Sequence, residues 1–184
     1  MYSIKMHGLG GQGVVTATKI LAHAAAIYED KFARSIPAFG HERRGAPVYS
    51  DVMIDDEQIL LNSFVYEPDV VVLFTSSIIE RGIPYQQGIH KESILLINTG
   101  NPTEAEELKA STGFAKIYYV DATTTALETI GIDIPNGAML GAFAKTGIVS
   151  IDSVVKAIKE NFKAGQGGKN AEAAQRAYES TQEI

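Results

Sequence analysis

Six residues near the N-terminus, Gly8-Leu9-Gly10-Gly11-Gln12-Gly13, have the composition of a turn that can hold an anion. Glycines permit positive φ and let a ligand or a neighbouring backbone come close. The first N–H groups of a following helix then face outward with the positive end of its dipole. The flanking residues supply that context. Tyr2, Ile4 and Met6 alternate with Ser3, Lys5 and His7 at the period of a strand, whereas Val14, Ala17, Leu21, Ala24 and Tyr28 recur at helical spacing. The string satisfies the G-x-G-x-x-G dinucleotide pattern, which also asks for an acid about 20 positions on to take the ribose hydroxyls. The next strand-like run, Lys31 to Ile36, offers Arg34 and no acid at its end, so plain NAD binding is disfavoured. Two readings stay open for Gly8, Gly10, Gly11, Gln12 and Gly13: a backbone cradle for a phosphate, or a turn whose glycines only allow tight strand-to-helix packing.

A second group lies between Ile36 and Pro47, rich in glycine, proline and charge. Adjacent Arg43 and Arg44 point in different directions, so one can brace a carboxylate such as Glu42 while the other reaches a phosphate or a partner's acid. Phe39 and the Gly45-Ala46-Pro47 frame suit a rigid loop presenting its charges, and a solvated charge cluster is the alternative. Polar residues also fall at the ends of strand-like runs, where open α/β sheets place their ligands: Thr75-Ser76-Ser77, Asn98-Thr99 and Asp121. The same residue types cap helices there. Ser76 lacks a G-x-S-x-G elbow, and no residue is assigned a catalytic role.

Cysteine is absent, which removes disulfides, thiolate zinc sites, cysteine-ligated iron–sulfur clusters and a cysteine nucleophile. His7, His23, His41 and His90 are scattered without H-x-x-x-H or H-E-x-x-H spacing, so no metal site is expected. A net charge of −6 argues against general nucleic-acid binding. No apolar run is long enough to span a bilayer, and Met1 leads directly into a strand without a charged leader and apolar core, so a cytoplasmic, membrane-free chain is expected.

The elements that must position these residues follow from pattern. Val48 to Ile54 alternates as a strand, Asp55-Asp56-Glu57 reads as a turn, and Gln58 to Asn62 as the returning strand of a hairpin. Val70 to Phe74 and Ile94 to Ile97 are continuous apolar runs typical of central strands. Thr103 with Glu106 resembles a capping box opening a helix through Ala110. Ala115 to Val120 forms a strand. Thr123 to Ile130 and Ala138 to Thr146 form helices closed by Gly131 and Gly147. Ser150 caps an amphipathic helix, and a terminal helix runs from Asn170 to about Tyr178 after the cluster Gly165 to Gly168. The expected fold is an α/β protein: a three-layer α/β/α sandwich with a mixed, mainly parallel sheet and an N-terminal strand–glycine turn–helix unit, residues 1–184 forming one domain.

Together, G-x-G-G-Q-G after an N-terminal strand, P-x-F-G-x-E-R-R-G-A-P-V from Pro37 and A-M-L-G-A-F-A-K-T-G from Ala138 resemble the gamma subunit of pyruvate/2-ketoisovalerate:ferredoxin oxidoreductases over nearly the whole chain. The resemblance implies a non-catalytic subunit of an enzyme that converts a 2-oxoacid, pyruvate by preference, to acyl-CoA, CO2 and reduced ferredoxin. The Glu42 to Pro47 segment resembles the pyruvate and branched-chain members. By the same resemblance, thiamine diphosphate, Mg2+ and [4Fe-4S] clusters sit on partner alpha, beta and delta subunits, with ferredoxin as acceptor. Coenzyme A is the co-substrate, and the resemblance implies that Gly8 to Gly13 and Arg43 and Arg44 meet coenzyme A or the neighbouring subunits. This chain carries no G-D-G thiamine motif, and Gly165 to Gly168 departs from the family's lysine-rich passage. The isolated chain is expected to be inactive. A stand-alone nucleotide-binding α/β protein using the same glycine turn is the alternative.

Overall fold

The computed structural model of the chain describes residues 1–38, 44–163 and 165–184. Its strands are β1 (Tyr2–Leu9), β2 (Phe32–Pro37), β3 (Pro47–Asp55), β4 (Val70–Leu73), β5 (Ile94–Asn98), β6 (Lys116–Val120) and β7 (Gln182–Glu183). Its helices are α1 (Val14–Tyr28), α2 (Ser77–Glu80), α3 (Pro102–Ser111), α4 (Ala122–Ile130), α5 (Asn136–Phe143), α6 (Ile151–Asn161) and α7 (Gly167–Ser180). The strands form one sheet in the order β2-β3-β1-β4-β5-β6-β7. Parallel pairing links β1, β4, β5 and β6, while β3 is antiparallel to both β1 and β2, and β7 to β6. All strands except β3 and β7 therefore run one way.

Alternation along the strands divides the core in two. Ile4 and Met6 of β1, Val52 and Ile54 of β3, and Val70 and Val72 of β4 face a layer built from α1, α5, α6 and α7. Val71, Leu73, Leu95, Ile97 and Ile117 face the other way, toward Ile78 of α2 and Ala105 and Leu108 of α3. This is the expected three-layer sandwich. Every residue of β4 is buried, as its unbroken apolar run requires.

The helix boundaries show which local signals act. Gly131 and Gly147 close their helices in the left-handed region at φ 83° and 77°, and Ser150 caps α6 by accepting from the Ser153 N–H at 3.2 Å. At α3, however, Asn101 is the cap: its side chain accepts from the Thr103 N–H at 3.1 Å, with Pro102 opening the helix. Thr103 and Glu106 are thus not a capping box. The expected hairpin strand from Gln58 to Asn62 is also absent. Both edges of β3 are already taken by β1 and β2, and Leu60 and Leu61 instead lie exposed in irregular chain. Helix α5 starts at Asn136 and its last turn, Ala144 to Thr146, tightens to a 3-10 turn.

The terminal helix begins at Gly167, three residues earlier than expected, because its glycines are tolerated or required there. A Cβ on Gly167 would approach the Lys159 carbonyl oxygen to 2.8 Å, so α7 can start beneath α6 only with glycine. Further along, α7 buries Ala171, Ala173, Ala174 and Ala177 against α5 and α6. Gly141 of α5 lies against the α7 backbone itself: a Cβ there would fall 2.6 Å from Ala174 Cα and closer still to its carbonyl oxygen. Backbone cannot step aside as a side chain can. Gly141→Ala should therefore lower unfolding stability by about 3 kcal/mol, read as a reduced urea midpoint. Gly168 is exposed in the first turn of α7 with open space around its Cβ position. Gly168→Ala should raise stability by about 0.5 to 1 kcal/mol in the same measurement.

Candidate functional site

Strand β1 delivers the chain to the glycine turn, and helix α1 leaves it from Gly13, whose φ of 77° and ψ of 27° are left-handed. Two turn donors are already engaged. Gly10 N–H donates to the Ala46 carbonyl at 2.8 Å and Gln12 N–H to the Leu9 carbonyl at 3.0 Å. The Gln12 side chain folds back, its Oε1 accepting from Leu9 N–H at 2.8 Å and its Nε2 reaching the Phe74 carbonyl at 3.5 Å. Gln12 thus ties the turn to the end of β4. The N–H groups of Val14, Val15 and Thr16 precede the first intrahelical bond, from Ala17 N–H to the Gly13 carbonyl, and they supply the positive end of a fifteen-residue helix.

The glycines divide by what surrounds them. Gly8 is buried in β1, where a Cβ would meet Val14 Cγ2 at 2.6 Å and Phe74 Cβ at 3.0 Å. At Gly13 a Cβ would come within 2.9 Å of Asn136 Cγ. Both are required by packing. Gly11, at φ 102°, is exposed, and a Cβ there would meet nothing nearer than Arg44 Cγ at 3.8 Å. It is the glycine that opens to the groove.

Arg44 is brought to the turn by backbone. Gly45 N–H donates to the Gly10 carbonyl at 3.0 Å, pairing with the Gly10–Ala46 bond, and Arg81 Nη1 donates to the Gly45 carbonyl at 2.8 Å. The result is a groove of about 1050 Å³ lined by Gly10 to Gly13, the first turns of α1, Arg44 and Ile132 to Ile134. Gly10, Gly11, Gln12, Gly13 and Arg44 therefore share one groove, with Gly8 beneath it. Arg43, His41 and the rest of Phe39 to Arg43 lie outside the described residues. Two groove residues escape the sequence motif: Lys19, exposed one turn into α1, and Asp133 between α4 and α5. Lys19 carried a signal, since it is the sole Lys or Arg of α1. Asp133 carried none.

The other polar residues at the strand ends are consumed in holding the fold. Asn98 donates to the Phe74 carbonyl at 2.9 Å and to Thr123 Oγ1 at 2.8 Å, while its Oδ1 accepts from Ala122 N–H at 2.9 Å. Thr99 Oγ1 bonds Glu104 at 2.6 Å, Thr75 Oγ1 accepts from Ser77 N–H at 3.3 Å, and Asp121 caps α4 through Thr124 N–H at 2.9 Å. Among the described residues no three His, Asp or Glu side chains gather to hold a metal ion. No helix among them is long and apolar enough to cross a membrane.

One titratable group sits directly behind the turn. His7, on the sheet face away from α1, is 7% exposed, and its Nε2 is buried without a hydrogen-bond partner among the described residues. Burial, reinforced by the nearby Lys5 ammonium, pushes the imidazole from its ordinary 6.5 down to about 4, so the native ring is neutral. Lys5 pairs with the fully buried Asp51 at 3.2 Å, and Asp51 also accepts from Val65 N–H at 2.7 Å.

The fold and the site define a three-layer α/β sandwich with a glycine turn at a helix start, Arg44 and Lys19 lining the same groove, and no cysteine to ligate a cluster. The family model of pyruvate ferredoxin/flavodoxin oxidoreductase matches residues 3–180. The chain is 47% identical over 183 residues to the common gamma subunit of pyruvate/ketoisovalerate oxidoreductases from Pyrococcus abyssi, covering 99% of this chain and 98% of that one. It is 47% identical over 179 residues to pyruvate synthase subunit PorC from Methanocaldococcus jannaschii, covering 97% and 96%. The crystal structure of pyruvate oxidoreductase subunit PORC from Thermotoga maritima superposes with a TM-score of 0.84 at 35% identity, covering 99% and 97%. The chain belongs to the pyruvate ferredoxin/flavodoxin oxidoreductase family, as a subunit of the gamma, or PorC, type.

Two outcomes follow from this geometry. Gly11→Ala meets only backbone strain and should lose about 1 to 3 kcal/mol. Gly13→Ala adds displacement of Asn136 and should lose roughly twice as much by urea denaturation. Equal losses would remove the distinction between the open and the packed glycine. For His7, the unfolded chain takes up a proton below pH 6.5 that the native chain refuses until about pH 4. Its stabilising contribution is complete above pH 6.5 and is lost as pH falls through that window, by roughly 3 kcal/mol in all. The difference in unfolding free energy between the parent and His7→Leu should show this slope, because Asp51, pushed up by burial, titrates in both proteins.

Proposed function

We propose that this chain is the gamma subunit of a pyruvate:ferredoxin oxidoreductase and forms part of its coenzyme A side. The observation that carries the reading is the groove itself: the open face of Gly11, the first turn of α1, Arg44 and Lys19 converge on one cavity in a chain of net charge −6. A phosphate placed there meets helix N–H donors and two cations. Pyruvate as the 2-oxoacid is supported by the relatives from Methanocaldococcus jannaschii and Thermotoga maritima, which carry that substrate in their names.

In this reading the chemistry of decarboxylation and electron transfer belongs to partner subunits of alpha, beta and delta type. Thiamine diphosphate, Mg2+ and [4Fe-4S] clusters sit there, since a chain without cysteine offers no thiolates to a cluster. This chain binds and orients: Gly10, Gly11 and Gly13 give the backbone room, Gly8 and Gln12 hold the turn, and Arg44 clamps. Arg43 is assigned the same role from its sequence neighbourhood. The assembly works in the cytoplasm, and residues 1–184 act as one domain.

The test uses the reconstituted multi-subunit enzyme. Arg44→Ala and Lys19→Ala should each raise the KM for coenzyme A about fivefold or more, with kcat and the KM for pyruvate little changed, as expected for loss of binding uniform between ground and transition states. An unchanged coenzyme A KM in correctly assembled variants would refute the assignment of the groove. Micromolar binding of ATP by the free chain would instead favour a stand-alone nucleotide-binding protein.

A further inference from the structure

A second cavity, of about 430 Å³, lies against His7 on the sheet face away from α1. Tyr49, opposite His7 in the β1–β3 register, and Phe64 form its aromatic wall, with ring centroids 5.7 Å apart and planes at 63°. Ile78, Ile83 and Pro84 make the apolar floor, and Tyr66, 73% exposed, stands at the rim. We propose that this cavity is a binding site for a small, uncharged aromatic molecule carrying one hydroxyl group, a phenol by class, with the imidazole of His7 as its hydrogen-bond partner.

Each property of the ligand comes from the wall. The volume lies in the range of small-molecule sites, and apolar pockets with few convergent polar groups are the usual form of such sites. Edge and face contacts from Tyr49 and Phe64 favour a ring. An anion is disfavoured because Lys5, the cation in the wall, is already bonded to Asp51 at 3.2 Å and lies over the Tyr49 ring at 4.8 Å. An incoming carboxylate would compete with Asp51 for it. The polar requirement comes from His7: it lines the cavity, it is 93% buried, and its Nε2 finds no partner among the described residues. A neutral imidazole offers one donor and one acceptor, and a hydroxyl satisfies either. An orphaned buried nitrogen gains most from such a partner. The groove at the glycine turn plays no part in this site.

The experiment titrates the purified full chain with 4-methylphenol, toluene and 4-methylbenzoate at pH 7.5, taking affinities from the ligand resonances by saturation-transfer NMR in every variant and, in the parent, following the His7 Cε1–Hε1 resonance as well. The expected result is saturable binding of 4-methylphenol about tenfold tighter than toluene, with no displacement by 4-methylbenzoate. His7→Leu should bring the two neutral probes to equal affinity. Tyr66→Ala, at the exposed rim, should weaken both by the same factor and keep their ratio. Equal affinities for 4-methylphenol and toluene in the parent, or no saturation by either, would overturn the proposal. So would binding to the free chain that disappears in the assembled enzyme, which would assign the cavity to a partner's side chain.

Discussion

The absence of a Cβ at Gly8 and Gly13 is the constraint on which the site depends. At Gly8, β1 passes so close to Val14 and Phe74 that helix α1 must spring from directly above the strand. At Gly13, Asn136 occupies the space a side chain would need, so the start of α5 is fixed against the start of α1. The groove then follows as a consequence. Its floor is the turn, one wall is α1, and the segment running into α5 supplies Ile132 to Ile134 on the far side. The same economy recurs deeper in the layer, where alanines of α7 and Gly141 of α5 let two helix backbones meet. Small residues set the distances there, and the larger apolar side chains fill what those distances leave.

Polar groups near the strand ends are divided between holding and presenting. Asn98 bonds the end of β4 and the start of α4 at once, satisfying backbone groups that burial would otherwise leave unpaired. Gln12 does the same between the turn and Phe74. Asn98 has spent both of its donors and its oxygen in this way, whereas Gln12 keeps one amide N–H beside the groove. Among the described residues, what remains uncommitted lines the groove: the first-turn donors of α1, and Arg44 and Lys19. A site built this way is preorganised, since the groups that position it differ from the groups that would contact an anion.

The sequence was most informative where one local rule decides the outcome. Period-two and continuous apolar runs located β1, β3, β4, β5 and β6, and glycines at left-handed positions marked the ends of α4 and of the turn after α5. It misled where tertiary packing chooses between local options. Nothing between Asp55 and Asn62 records that β3 already has a partner on each edge, which is why a returning strand reads plausibly there. Thr103 and Glu106 have capping-box spacing, yet Asn101, two residues earlier and followed by Pro102, forms a better start. At the site, the turn and Arg44 were visible because their residue types are unusual for their context. Asp133 was not, since a single acid in a loop is commonplace, and only the packing of α4 and α5 brings it to the groove.

The two faces of the sheet also differ in how firmly they are held. Helices α1, α5, α6 and α7 cover one face with a continuous alanine-rich layer in which Ala17, Ala24, Ala25, Ala138, Ala142 and Ala157 are inaccessible. On the other face, α2 spans a single turn and the chain from Asp56 to Asp69 has no regular element, so its cover over β1 and β3 is held by a few bonds such as Val65 N–H to Asp51. Leu60, Leu61 and Tyr66 are exposed along it at 81%, 52% and 73%. Cover of this kind opens at lower free energy than a helical layer, because fewer apolar contacts and backbone bonds must break together. The buried charge pair Lys5–Asp51 and the orphaned His7 lie directly beneath. Their position ties the polar part of the core to the most easily displaced segment of the chain, whereas the groove at the glycine turn rests on the rigid helical side.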